Sequence, residues 1–276
     1  MTFAQALKHG TEKATRRDAM LLLSRITGKT SAEILLHEDN VLEDEGLFLD
    51  YLERLQKGEP LQYVIGQWDF MGLTFRTDSR ALIPRPETEL LAEEALKFIG
   101  NASKPVKVLD LCTGTGCIAL AIASLAESVA VTAVDISPLA VSLARENALQ
   151  LALPPARVRI IESDLFSEIA PSERFDVIIS NPPYITSREM ASLAPVVKDH
   201  EPHLALHGGT DGMDIYRPIV QKSLDYLTPG GVLLLEIGPA AVKDLMTEAG
   251  YENISLLQDY AGLDRIVKGA KPCLTV

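Results

Sequence analysis

Along the chain the apolar positions change their period near residue 104. Up to about Gly58 they recur at helical spacing in short bursts. Asp18 precedes the run Ala19-Met20-Leu21-Leu22-Leu23, and Gly28 is placed to end it. Thr30-Ser31-Ala32-Glu33 reads as a capping box before Ile34-Leu35-Leu36. Leu47, Tyr51 and Leu55 share one helix face, with Gly58 suited to the left-handed position after the helix and Pro60 just beyond. These patterns predict a small helical domain over residues 1–59. Residues 60–81 hold short apolar pieces punctuated by Gly66, Gly72 and Asp78, among them Tyr63-Val64-Ile65 and Leu73-Thr74-Phe75, and predict a β-hairpin linker. In Leu82-Ile83-Pro84-Arg85-Pro86-Glu87-Thr88-Glu89 two prolines stiffen an arm and acids sit at the start of a helix running to about Ile99.

From Lys104 onward strands and helices alternate, which marks a parallel sheet covered on both faces. The spacing predicts strands at Val106–Leu111, Val129–Val134, Arg157–Ile161, Phe175–Ser180, Gly231–Ile237, Asn253–Gln258 and Arg265–Lys268. Helices are expected at Ile118–Leu125, Pro138–Leu149, Met213–Leu227 and Ala240–Ala249. The last two strands are joined by Asp259 to Asp264, too short for a helical crossover, so they should pair antiparallel. The fold class is therefore α/β, a seven-stranded, mostly parallel, Rossmann-like sheet over residues 82–276, preceded by the helical domain and the hairpin linker.

Composition narrows the function classes. Among 276 residues, 47% are hydrophobic and only 5% aromatic, so the core is mostly aliphatic. The net charge of −12 argues against a protein whose affinity comes from neutralising phosphates, and no direct nucleic-acid binding is expected. Cys112, Cys117 and Cys273 form no paired CxxC pattern, so neither a disulfide framework nor a zinc site is expected and a reducing cytoplasm fits best. No basic segment leads into an apolar run at the start, and no run approaches ~18 apolar residues, so no membrane association is expected.

Two loops carry the candidate chemistry. The first strand breaks into Cys112-Thr113-Gly114-Thr115-Gly116-Cys117, where glycines let the backbone approach a ligand closely. The second strand leads to Asp135, whose carboxylate can accept hydrogen bonds from both hydroxyls of a ribose. A nucleoside cofactor follows, but Gly114, Gly116 and Ala119 also satisfy the dinucleotide fingerprint, so this loop alone leaves NAD and S-adenosylmethionine both open.

The second loop is Ser180-Asn181-Pro182-Pro183-Tyr184, at the end of the buried run Phe175–Ile179. Prolines stiffen the turn and leave its carbonyls as acceptors, Asn181 adds a side-chain carbonyl, and Tyr184 adds an aromatic face. Two convergent acceptors can hold both hydrogens of a planar NH2 group, which suits a methyl acceptor and has no evident use in hydride transfer. Asp164 and Leu165, in Glu162-Ser163-Asp164-Leu165-Phe166, are placed to edge an adenine ring. Arg85, Pro86 and Glu87 are a candidate active-site wall.

The chain resembles the release-factor glutamine methyltransferases, the HemK/PrmC family. The resemblance rests on Leu61-Gln62-Tyr63 with Gly66, Ile83-Pro84-Arg85-Pro86-Glu87-Thr88-Glu89, Asp110 to Gly116, Asp135-Ile136-Ser137, Ser180 to Tyr184, and Glu201-Pro202 with Ala205-Leu206. It implies a class I methyltransferase fold and S-adenosylmethionine, released as S-adenosylhomocysteine, held by Cys112, Thr113, Gly114, Thr115, Gly116, Asp135, Ile136, Asp164, Leu165 and Asn181. It also implies a glutamine of a class I peptide chain release factor held by Asn181, Pro182, Pro183 and Tyr184. Catalysis then falls to Asn181, Pro182 and Tyr184, and substrate docking to the N-terminal domain. Cys112 departs from the family, many of whose members have glycine there; its contribution is expected through its backbone. Leu165 stands where some relatives have an aromatic residue.

Two readings compete. An amino-methyltransferase of a nucleobase would use nearly the same pocket, and the acidic chain weighs against it. A nucleoside- or NAD-binding module would leave the Asn181 turn unexplained. His200, His203 and His207 lie close together in sequence, but Pro202 interrupts a regular ligand face, and no metal is expected. Glu236, an acid flanked by Leu235 and Ile237, receives no role from the sequence.

Overall fold

The computed structural model describes residues 1–273, which form two compact units. The first comprises Met1–Gln67 with Ala194–His200. Its helices are α1 (Phe3–Lys13), α2 (Arg16–Thr27), α3 (Ser31–Leu36), α4 (Glu45–Gln56) and α5 (Leu61–Ile65). In α1 to α4 a side chain before the helix accepts from an unpaired amide of the first turn, whereas α5 follows Pro60 without a side-chain cap. Thr2 and Thr30 build capping boxes with Gln5 and Glu33, and α2 is capped by Thr15, with Asp18 in its first turn. The buried faces meet through Leu22, Leu23, Ile34, Phe48 and Leu52, while Leu47, Tyr51 and Leu55 flank that stripe. Gly10 permits close contact of α1 and α2, since a Cβ there would fall 2.6 Å from Ala19 Cβ.

One linker expectation is corrected here. Tyr63-Val64-Ile65 is not a strand but the body of α5, which starts after Pro60 and ends at Gly66 in the left-handed conformation (φ 71°). The hairpin is instead β1 (Gln67–Phe70) with β2 (Leu73–Arg76). Its turn is Met71-Gly72, both at positive φ (52° and 73°), the geometry a two-residue hairpin loop needs to match strand twist.

The second unit continues through α6 (Pro86–Gly100), β3 (Val106–Leu111), α7 (Cys117–Leu125), β4 (Val129–Asp135), α8 (Pro138–Gln150), β5 (Val158–Glu162) and β6 (Phe175–Ser180). Then come two short turns of helix, α9 (Ser187–Met190) and α10 (Pro195–Lys198), the latter within the first unit. The chain closes with α11 (Tyr216–Tyr226), β7 (Leu227–Glu236), α12 (Ala241–Ala249), β8 (Glu252–Gln258) and β9 (Asp264–Ala270). The helix expected from Met213 starts three residues later, and β7 begins at Leu227 rather than Gly231 because the strand continues through Thr228-Pro229-Gly230.

The sheet order is β5-β4-β3-β6-β7-β9-β8, parallel except for β9, which lies antiparallel between β7 and β8. Alternate residues of each central strand feed opposite cores. Val108, Val177, Ile179 and Leu234 pack with Leu91 and Ala95 of α6 and Ile118 and Ile122 of α7. Leu109, Ile178, Leu233 and Leu235 pack with Tyr216 and Ile219 of α11 and Val242 and Met246 of α12. Strand order reverses between β3 and β6, and a crevice opens beyond their carboxyl ends. Among the described residues no helix is long and apolar enough to cross a membrane.

Candidate active site

Register aligns the loops that carry the candidate chemistry. Leu111, the last residue of β3, lies opposite Val134 of β4 on one side and Ser180 of β6 on the other. The Ser180 hydroxyl donates to the Leu111 carbonyl at 2.6 Å, tying the two strand ends together. The glycine loop, Asp135 and Asn181 therefore leave the sheet at one level, on strands spaced about 4.8 Å apart.

In the glycine loop Cys112 and Gly114 adopt left-handed backbone (φ 58° and 57°), a conformation glycine enters freely and cysteine does not. Below the loop, the Thr113 hydroxyl donates to Asp110 Oδ2 at 2.5 Å. Burial pushes the Asp110 carboxyl up to about 7 against the lowering effect of Thr113. Asp135 ties the loop to β4. Its Oδ2 accepts from the Gly114 amide at 2.8 Å and its Oδ1 from the Ser137 amide at 2.9 Å. Burial raises its carboxyl above the ordinary range, and those amides oppose the rise. Burial also raises the Cys112 thiol, with the Asp135 carboxylate adding to the effect, so this cysteine is a neutral wall rather than a nucleophile.

The Asn181 turn is held from behind. Asn181 Nδ2 donates to Thr88 Oγ1 at 3.1 Å, and the Thr88 hydroxyl donates to Glu236 Oε2 at 2.7 Å. Thr88 and Glu236 are both only 3% exposed. Burial moves Glu236 up to about 7, while the Thr88 hydroxyl, Arg265 and the Asn181 amide pull it down and Glu87 pushes it up. Gly208 lets its segment lie against the turn, since a Cβ there would fall 2.6 Å from Tyr184 Cα.

The arm before α6 is pinned by one buried acid. Glu201 accepts from the Ile83 amide at 3.2 Å and from Arg85 Nη2 at 2.5 Å, and its side chain is 1% exposed. The crevice between arm, loops and turn encloses about 1120 Å³ including its mouth.

Of the residues expected from the sequence, Cys112, Thr113, Gly114, Thr115, Asp135, Ile136, Asp164, Leu165, Asn181, Pro183 and Arg85 line this crevice. Gly116, Pro182, Tyr184, Pro86 and Glu87 do not. Gly116 is instead required for packing, because a Cβ there would meet Leu120 Cδ1 at 3.0 Å and Ala144 Cβ at 3.2 Å at φ 82°. Pro182 is buried under the turn, and the Tyr184 ring lies over Gly238. Sequence reasoning assigned no site role to Thr88, Ser163, Leu204, Ala205 or His207, which also line the crevice. Thr88 and Ala205 sat inside motifs already singled out, but nothing in a linear pattern marks which side chain of a motif faces inward.

The His203 and His207 rings lie with centroids 5.1 Å apart, tilted by 42°, His207 Nε2 pairs with Ser187 Oγ at 2.9 Å, and His200 belongs to the first unit. Among the described residues no group of three or more His, Cys, Asp or Glu is arranged to hold a metal ion.

Comparison with known proteins agrees over both units. Residues 2–66 match the PrmC N-terminal domain and residues 88–209 the Methyltransferase small domain. The chain is 38% identical to the release factor glutamine methyltransferase of Clostridium acetobutylicum, over 95% of this chain and 93% of that protein. It is 42% identical to the protein of the same name from Cereibacter sphaeroides, over 93% and 91%. The crystal structure of a methyltransferase from Pyrococcus furiosus, 18% identical, covers 73% of this chain and 90% of its own with a TM-score of 0.52, a likeness of fold.

Proposed function

This chain belongs to the release factor glutamine methyltransferases, and we propose that it transfers a methyl group from S-adenosylmethionine to the side-chain amide nitrogen of a glutamine in a class I peptide chain release factor. The observation that carries the reading is the shared level of three strand ends, which brings the Gly114 loop, Asp135 and the Asn181 turn to one crevice.

The residues present suit the cofactor. Each Asp135 oxygen accepts one backbone amide and keeps a further lone pair for a ribose hydroxyl. Cys112 to Thr115 supply a close backbone wall, with Gly116 shaping the loop from beneath, and Ile136, Asp164 and Leu165 edge the adenine side. When bound, S-adenosylmethionine supplies an electrophilic methyl group on a sulfonium sulfur and becomes S-adenosylhomocysteine.

An amide nitrogen is a poor nucleophile because its lone pair is delocalised into the carbonyl. In our reading Asn181 Oδ1 and the backbone carbonyl of Pro182, whose ring is the part buried under the turn, accept the two amide hydrogens, turning the nitrogen lone pair out of conjugation and toward the methyl group. Pro183 packs against the flat amide, and Tyr184 braces the turn from behind. Orientation of this kind supplies up to ~7–11 kcal/mol in well-positioned systems. The product nitrogen sheds its extra proton after transfer, so no dedicated base is assigned. Arg85 walls the crevice from the arm, and Pro86 and Glu87 start the helix behind it.

Residues 1–59 are read as the docking domain for the release factor, 60–81 as the linker and 82–276 as the catalytic domain, supported by the match of residues 2–66 to the PrmC N-terminal domain. The cytoplasm is the compartment in this reading, where translation terminates and three free cysteines stay reduced. A nucleobase acceptor is disfavoured by the net charge of −12. The test supplies labelled S-adenosylmethionine with a release factor, the same factor with its target glutamine replaced by alanine, and duplex DNA. Label in the first alone is expected; label in DNA but not in the release factor would overturn the proposal.

A further inference from the structure

Asn181 can serve as an acceptor only if its amide is turned the right way. A side-chain amide is nearly symmetric in shape, and a half-turn about its last bond would present the NH2 group to the substrate nitrogen and repel it. Something must choose between the two orientations. The turn does not, since prolines carry no N–H to donate to the carbonyl oxygen.

We propose that Glu236 and Thr88 are positioning residues that fix the orientation of the Asn181 amide, so that its oxygen faces the crevice. The argument runs along the direction of donation. Above about pH 7, where Glu236 is ionised, its carboxylate only accepts, so the Thr88 hydroxyl 2.7 Å from Glu236 Oε2 must give it its single proton. That hydroxyl is then left with lone pairs toward Asn181, 3.1 Å away, and the group that can satisfy them is the NH2 end. With Nδ2 anchored inward, Oδ1 points outward. The directional chain crosses three elements: β7 supplies Glu236, the first turn of α6 supplies Thr88, and the end of β6 supplies Asn181.

Both relay residues are buried, so water does not compete for these bonds. The backbone that carries this side chain is braced: Tyr216 donates its hydroxyl to the Glu236 main-chain carbonyl at 2.8 Å, holding the end of β7 in place. The arrangement also accounts for a threonine in the arm motif and for an acid on a strand whose neighbours are all apolar, neither of which the sequence explains.

This inference rests on the proposed amide acceptor, and two kinds of measurement separate its failure from failure of that reading. The first uses turnover with a release factor. Thr88→Val keeps the shape and removes the hydroxyl, Glu236→Leu removes the final acceptor, and Thr88→Ser restores the hydroxyl. The first two are expected to lower kcat roughly 10- to 100-fold with cofactor affinity within about twofold of wild type, and Thr88→Ser to stay within about threefold of wild-type kcat. A Thr88→Val enzyme with full kcat, a loss matched in cofactor affinity, or a Thr88→Ser enzyme as slow as Thr88→Val overturns the proposal.

The second needs no substrate. In 15N-labelled wild-type protein the side-chain amide of Asn181, assigned by its disappearance in Asn181→Asp, should show one proton protected from exchange, and Thr88→Val should release it. Fast exchange of both protons in the wild type overturns the relay whatever the acceptor proves to be, and it does so even if the Thr88 and Glu236 variants fail to fold.

Discussion

The Tyr184 ring lies so close over Gly238 that a Cβ at residue 238 would fall 2.4 Å from Tyr184 Cδ2 and 2.8 Å from Cε2. This contact joins the turn after β6 to the segment after β7, and it leaves no space for any other residue. Gly238→Ala must push the ring, and the turn it belongs to, toward the crevice. A cost of about 1–3 kcal/mol in folding stability is expected from such overpacking, together with a fall in kcat. Chemical denaturation and turnover measure the two, and a Gly238→Ala protein equal to wild type in both would show that the Tyr184 ring is free to move.

Asp135 and Asn181 line the same crevice but should fail differently. Asp135→Ala removes a charged acceptor and also the staple on the Gly114 amide, so affinity for S-adenosylhomocysteine should drop roughly 100-fold, as expected from losing hydrogen bonds to a charged group. Asn181→Ala should leave that affinity within about threefold and reduce turnover at least about 100-fold. Calorimetry and methyl-transfer assays on both variants give the comparison; similar losses of affinity in the two would contradict the division of labour.

Cys112 holds a left-handed backbone at φ 58° without being glycine. That conformation costs a residue with a Cβ about 1–2 kcal/mol, offset in part because glycine gains freedom in the unfolded chain. Cys112→Gly should therefore melt at or above the wild-type midpoint, and Cys112→Val, with its branched Cβ, several degrees below it. A lower midpoint for the glycine variant would mean that the cysteine side chain contributes more by packing than its backbone loses.

Glu236 makes folding depend on pH. Its carboxyl titrates at about 7 in the folded chain, against an ordinary 4.5, because burial disfavours the charge. Over that interval the folded state keeps a proton that the unfolded state releases. Its contribution to stability is complete below about pH 4.5 and is lost as pH rises through about 7. Glu236→Gln abolishes this titration. Its stability relative to wild type should then increase from about pH 5 to about pH 8, measured as the difference in denaturation midpoints. Asp110 titrates in the same direction in both proteins and cancels from that difference.

Much of the fold could be read from local signals. The capping box at Thr30, the glycine after α2 and the strands β3, β4 and β6 stand within a residue of their expected places, because caps and buried strands are written in adjacent residues. The errors fall where short apolar runs are ambiguous. Tyr63-Val64-Ile65 is as apolar as a strand, and only its placement between Pro60 and a left-handed Gly66 makes it a turn of helix. The site was legible in part for the same reason: the glycine loop, Asp135 and the Asn181 turn each follow directly from a strand end. Which members of those motifs face the crevice was not legible, and Tyr184 turned out to stand behind the turn it was expected to line.

The sequence by itself determined the parts: an alternating α/β chain, a glycine loop with an acid to follow, a rigid turn of acceptors, and a resemblance strong enough to suggest the reaction. It could do so because propensity, capping and turn chemistry act between near neighbours. The tertiary structure alone decided how those parts meet. Thr88 and Glu236 are 148 positions apart and share a hydrogen bond, and Ile83 and Glu201 are 118 apart and share another. Such contacts depend on strand order and register, which place β3 beside β6 and β6 beside β7, and no local pattern records that order.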